Sequence, residues 1–118
     1  MIQALPMQET TTQWVTVCSI DQILPNTGVC ALIKGKQVAI FRVGSTNNIY
    51  AIDNYDPFSK AFVLSRGIVG DRNGVAKVAS PIYKQNFSLQ TGQCLDDETV
   101  SISTFLARVE AGQVQVNL

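Results

Sequence analysis

The 118-residue sequence predicts an all-β fold, an antiparallel sandwich or small barrel. Three observations carry this. Nine short runs rich in β-branched and aromatic residues recur along the chain. Residues that tolerate positive φ or close their own backbone hydrogen bonds separate these runs. Only one stretch reads as helical, so the crossover helices that a parallel sheet requires are missing.

Taken in order, 14–18 (Trp-Val-Thr-Val-Cys) is the first strand, and Ser19 caps a short helical turn, Ser19 to Leu24, that Pro25 ends. Strands 28–34 and 37–43 flank a turn at Gly35-Lys36, and 48–53 follows Ser45-Thr46-Asn47. Runs 66–70 and 75–80 flank Asp71-Arg72-Asn73-Gly74. Run 85–89 stops at Gln90-Thr91-Gly92, and 104–109 and 113–118 flank Ala111-Gly112. The longest irregular excursions are then 54–65 and 81–86. Residues 1–13 read as a flexible N-terminal tail and 14–118 as one domain, with no internal repeat.

Composition removes several classes of function. Nine basic and nine acidic residues balance, and the pI is near 6.1. Such a chain lacks the basic face that displaces counterions from nucleic acid. The longest apolar runs are five residues, as in Val29-Cys30-Ala31-Leu32-Ile33, against the ~20 needed to cross a bilayer. The first residues show no basic stretch followed by an apolar one, so a cytoplasmic protein without a membrane partner is expected. The sequence contains no histidine. Ser-His-Asp, Cys-His and histidine-metal sites therefore disappear together.

The three cysteines, odd in number and without CxxC spacing, argue against a disulfide framework. Cys18 and Cys30 lie in apolar runs and are expected to be buried, with Cys94, after a turn, the most exposed. Asp96-Asp97-Glu98 reads as a solvated turn. The Gly67-x-x-Gly70 and Gly70-x-x-x-Gly74 spacings lack the following helix and lysine of a phosphate cradle.

The two irregular excursions carry a family resemblance. Ile49-Tyr50-Ala51-Ile52-Asp53-Asn54-Tyr55-Asp56-Pro57-Phe58 resembles the Rieske strand that leads into a Cys-Pro-His loop. Val78-Ala79-Ser80-Pro81-Ile82-Tyr83, continuing to Thr91-Gly92, resembles the second loop, Cys-Pro-x-His with its following turn. On this resemblance the fold is a Rieske-like sandwich or small barrel whose two extended loops form a degenerate cluster-binding tip. Asp56 and Ser80 stand in the cysteine places, Phe58 and Tyr83 in the histidine places. A [2Fe–2S] centre of that type needs two thiolates and two imidazoles, and none stands at those four vacated positions. No metal, cofactor or catalytic residue is therefore expected in this chain. Asp56 is expected to cap its own turn, while Phe58 and Tyr83 fill the space of a cluster.

Further segments narrow the likeness. Ile23-Leu24-Pro25-x-Thr27-Gly28-Val29-Cys30-Ala31-Leu32, Gln37-Val38-Ala39-Ile40-Phe41-Arg42, the run at 54–58, Val63-Leu64-Ser65-Arg66-Gly67 and Val78-Ala79-Ser80-Pro81-x-x-Lys84-Gln85 together resemble the small subunit of bacterial cytoplasmic NADH-dependent nitrite reductase. The likeness spans about 14–118. It implies an accessory subunit of an enzyme that reduces nitrite to ammonium, with a large catalytic subunit holding FAD, siroheme and an iron–sulfur cluster. Lys60, Arg66, Lys84 and Gln85, with Phe58 and Ile82 beside them, are the candidate partner interface. Two other classes stay open on the residues alone: a free-standing binding module and an electron-transfer protein with unrecognised ligands.

Overall fold

Two-residue turns organise the chain. The computed structural model describes residues 13–118; the expected tail lies outside the described residues except for Gln13. Strands are β1 (Trp14–Ser19), β2 (Thr27–Ile33), β3 (Lys36–Arg42), β4 (Ile49–Asp53), β5 (Tyr55–Asp56), β6 (Ala61–Phe62), β7 (Ile68–Arg72), β8 (Val75–Ala79), β9 (Asn86–Ser88), β10 (Thr104–Glu110) and β11 (Gln113–Asn117). Three hairpins close on Lys34-Gly35, Asn73-Gly74 and Ala111-Gly112, where both residues have positive φ. That is the mirror-image turn whose twist matches the flanking strands. The first turn thus sits one residue before the expected Gly35-Lys36.

The strands build a six-stranded antiparallel sheet in the order β1-β11-β10-β4-β3-β2, a three-stranded sheet β7-β8-β9 and a two-stranded hairpin β5-β6. The large sheet curls. β10 meets β4 through only Thr104↔Ile52 and Phe105↔Ala51, while the edges β1 and β2 face one another across a groove of about 410 Å³.

Alternation along β3 explains how the layers stack. Val38 and Ile40 enter one core with Ile23, Ile33, Ala51, Val114 and Val116, inside the curl of the large sheet. Ala39 and Phe41 enter a second core with Ile52, Leu64, Val78, Phe87 and Leu89, which welds the three-stranded sheet to the large one. β3 is thus buried on both faces, which is why it reads as a continuous apolar run. Gly28, paired with Phe41, is required: a Cβ there would lie 2.6 Å from the Phe41 ring and 2.8 Å from the Ser65 carbonyl oxygen.

The structure corrects several expectations. The helical turn after β1 is one 3₁₀ turn, Ile20–Gln22, with the Ser19 hydroxyl accepting from the Asp21 amide. Excursion 54–65 is not irregular, because β5, β6 and a 3₁₀ turn at Leu64–Arg66 occupy it. The longer irregular stretch is 89–103, which is stitched down by bridges Phe87↔Cys94 and Gln93↔Ser101. Those bridges carry Cys94 into the second core, so it is buried, and Cys30, on edge strand β2, is exposed. Among the described residues no helix is long and apolar enough to cross a membrane.

Candidate functional site

The site is built by one turn used twice. Asp56-Pro57-Phe58-Ser59-Lys60 and Ser80-Pro81-Ile82-Tyr83-Lys84 follow the same course. In each, the lysine amide donates to the carbonyl of the first residue, Lys60 to Asp56 at 2.7 Å and Lys84 to Ser80 at 3.1 Å. The side chain of the first residue accepts from the amide two positions on, Asp56 from Phe58 at 2.9 Å and Ser80 from Ile82 at 3.4 Å. Proline fixes φ after the cap, and both lysines end the turn at positive φ, 58° and 68°. Such a pairing is legible in the sequence as x-Pro-x-x-Lys repeated, a signal the sequence reading above missed.

The two turns are then joined at their first residues. The Ser80 hydroxyl donates to Asp56 Oδ2 at 2.5 Å, and both residues are wholly buried. Asp56 Oδ2 also accepts from the Ser59 hydroxyl at 2.9 Å. Burial alone would push the Asp56 carboxyl up. The hydrogen bonds from Ser80, the Phe58 amide and Ser59 outweigh that and hold it below the ordinary aspartate value. The two cysteine places are thus occupied by a carboxylate and a hydroxyl bonded to each other.

A hub beneath the first loop fixes its base. Asn54, buried, donates through Nδ2 to Gln37 Oε1 at 3.1 Å and to Cys30 Sγ at 3.4 Å, and its Oδ1 accepts from the Ser65 amide at 2.7 Å. Both ends of the excursion are therefore tied to the β2–β3 layer. The second loop is closed by the Ser80 amide donating to the Gln85 carbonyl. Asp96 secures its exit, accepting from the Asn86 amide at 2.7 Å and pairing with Arg72 at 3.1 Å. Asp96 thus lies in the solvated turn expected at Asp96-Asp97-Glu98 and, from there, also anchors the loop. The partners of Asn54 and Asp96 are distant in sequence, and no local pattern announces them.

Of the expected site residues, Phe58 and Tyr83 part company. Phe58 is half-buried and lies against the buried Phe87, ring centroids 6.1 Å apart. Tyr83 does not fill the space of a cluster: it is 61% exposed, because Ser80 and Lys84 close the turn beneath it and leave the ring outside. Lys60, Arg66, Ile82 and Lys84 are also exposed. Gln85 is half-buried, with Oε1 enclosed and without a donor, so it faces the loop's interior rather than outward.

A Rieske cluster does not fit these residues. Asp56 already accepts from three donors, Phe58 has no lone pair, and no thiol stands at the tip; Cys94 is in the second core and Cys18 and Cys30 are on the large sheet. Among the described residues no three Cys, Asp or Glu side chains gather as a metal site.

Comparison with known proteins agrees with this architecture. The model of the Rieske-like [2Fe-2S] domain family matches residues 13–117. The small subunit of nitrite reductase (NADH) of Salmonella typhimurium is 51% identical over 104 residues, 88% of this chain and 96% of that one. The solution structure of the Escherichia coli protein NirD is similar at a TM-score of 0.86 and 47% identity, over 92% of this chain and 98% of that one. The Klebsiella oxytoca nitrite reductase [NAD(P)H] large subunit is 39% identical over 103 residues, 87% of this chain but 11% of that protein.

Proposed function

This chain belongs to the Rieske-like [2Fe-2S] domain family and, within it, to the small subunits of NADH nitrite reductase, and from that premise we propose that it is a docking subunit that carries no cluster. It pairs with the large subunit of the enzyme, in the cytoplasm, and supports the reduction of nitrite to ammonium without making or breaking a bond itself. FAD, siroheme and the iron–sulfur cluster are assigned to the large subunit. The observation that carries this reading is the Ser80–Asp56 hydrogen bond, which holds the two loops together where ligands would otherwise be required. A relative in which a domain like this one makes up 11% of a nitrite reductase large subunit supports the choice of partner.

The role that remains for the chain is conformational. Contacts that differ between two states of the large subunit would shift its population without any titrating group in this one. The test is to purify the native chain with whatever travels with it. The large subunit should co-purify, the chain alone should be colourless and free of iron and sulfide, and NADH-dependent nitrite reduction should need both chains. Stoichiometric iron and sulfide with a Rieske-type spectrum, or nitrite turnover by this chain alone, would overturn the reading.

A further inference from the structure

Lys60 and Lys84 stand at backbone positions that disfavour them. Six residues other than glycine have positive φ among those described. Asn26 and Asn73 tolerate that region, and Lys34 and Ala111 open two-residue hairpin turns that glycine completes. Lys60 and Lys84 have neither excuse, since Ala61 and Gln85 follow them. Glycine or asparagine would sit at either position at lower cost. The same turn places both, one on each side of the Asp56–Ser80 contact.

Their surroundings are basic and apolar. Neither lysine forms a salt bridge among the described residues, and neither does Arg66. The sequence has no acidic residue from Pro57 to Gly70 or from Arg72 to Leu95, and the carboxylate of Asp56 is buried and accepts from three donors of the loops themselves. A chain of zero net charge thus gathers at these two loops three cations that have no carboxylate partner among the described residues, Lys84 Nζ donating only to the Pro81 carbonyl at 3.3 Å. Tyr83 and Ile82 on the second loop, and Ile68 opposite Ala79 beside it, are 61%, 45% and 70% exposed. An exposed tyrosine and isoleucines rimmed by arginine and lysine have the composition of an interface core and its rim.

We propose that Lys60 and Lys84 are a matched pair of docking residues that, with Arg66, frame an apolar contact through Tyr83 and Ile82 onto an acidic-rimmed surface of the nitrite reductase large subunit. The proposal rests on the docking reading above and adds the face, the residues and the chemistry of the counter-surface.

The experiment measures binding of the full chain to the purified large subunit at low and at high salt, for wild type, the double variant Lys60→Asn/Lys84→Asn, and Lys84→Arg. Asparagine suits positive φ, so the double variant should unfold no earlier than wild type. It should bind at least about tenfold more weakly at low salt, with the gap narrowing as salt rises. Lys84→Arg should bind within about twofold of wild type, because rim charge matters more than shape. Joining the double variant to the large subunit by a flexible linker should restore nitrite reduction, since tethering replaces lost affinity with local concentration. Equal binding by the double variant, a lowered unfolding midpoint, or no rescue on tethering each overturns the assignment. Failure of wild type itself to bind would instead overturn the docking reading on which it rests.

Discussion

Replacing Asp56 with alanine tests whether a carboxylate has taken over the joining of the two loops. The substitution leaves three donors without their acceptor: the Phe58 amide, the Ser59 hydroxyl and the Ser80 hydroxyl. Ser59 is half-buried and can turn toward water, so its loss is small. Ser80 is wholly buried and the Phe58 amide lies beneath a ring packed on Phe87, so each of these costs about 1–3 kcal/mol when left unpaired. A total of roughly 2–6 kcal/mol follows, a large part of the ~5–15 kcal/mol available to a domain of this size. Urea unfolding followed by circular dichroism gives the number. Adding Ser80→Ala and the double variant isolates the pair, and a coupling of about 1.5–3 kcal/mol is expected for a hydrogen bond to a charged acceptor. Additive effects of the two substitutions, or a loss below about 1 kcal/mol for Asp56→Ala, would refute the account of the loop junction.

Acid should expose the same carboxylate: its folded pKa lies below the ordinary value, so the stability it contributes is full above about pH 4 and is lost as pH falls through the folded pKa. Asp56→Asn should therefore flatten the acid limb of a stability-versus-pH curve, leaving a remainder from Asp96 and Asp97, which are also held low by hydrogen bonds from Asn86 and Thr99. Phe58→Ala, at a half-buried ring, should cost roughly half the ~3–5 kcal/mol of a fully buried phenylalanine, while Tyr83→Ala should change the unfolding free energy from urea titration by no more than about 0.5 kcal/mol and weaken large-subunit binding. Gly28→Ala should cost about 1–3 kcal/mol or more, read by thermal melting, because the added Cβ meets the Phe41 ring and a backbone oxygen that cannot both yield.

Strands and turns were legible because they are written locally. Asn73-Gly74 and Ala111-Gly112 announce their hairpins, and the apolar run of β3 announces a strand, though its burial on both faces emerges only from the layering. Burial was less legible where it depends on sheet order. Cys30 and Cys94 exchange their expected environments because β2 is an edge and because residues 89–103 fold back over Phe87. The site was legible as positions but not as contacts. Asp56 as a turn cap follows from Asp-Pro, whereas its bond to Ser80 spans 24 residues and follows only once the loops converge. Phe58 and Tyr83 look equivalent as aromatic replacements. The turn geometry sends one inward and the other outward, two positions and three positions after its proline-bearing cap.

The pairing of the first strand with the last has a consequence for how such a domain is wired into larger proteins. Trp14 lies opposite Asn117 in the β1–β11 ladder, so the chain enters and leaves the domain about 5 Å apart. A domain whose entry and exit coincide can be appended to, or spliced into, a host polypeptide through a single small opening, without stretching either partner. The same fold can then serve as a separate subunit or as a short stretch of one long chain, as the Klebsiella oxytoca protein displays.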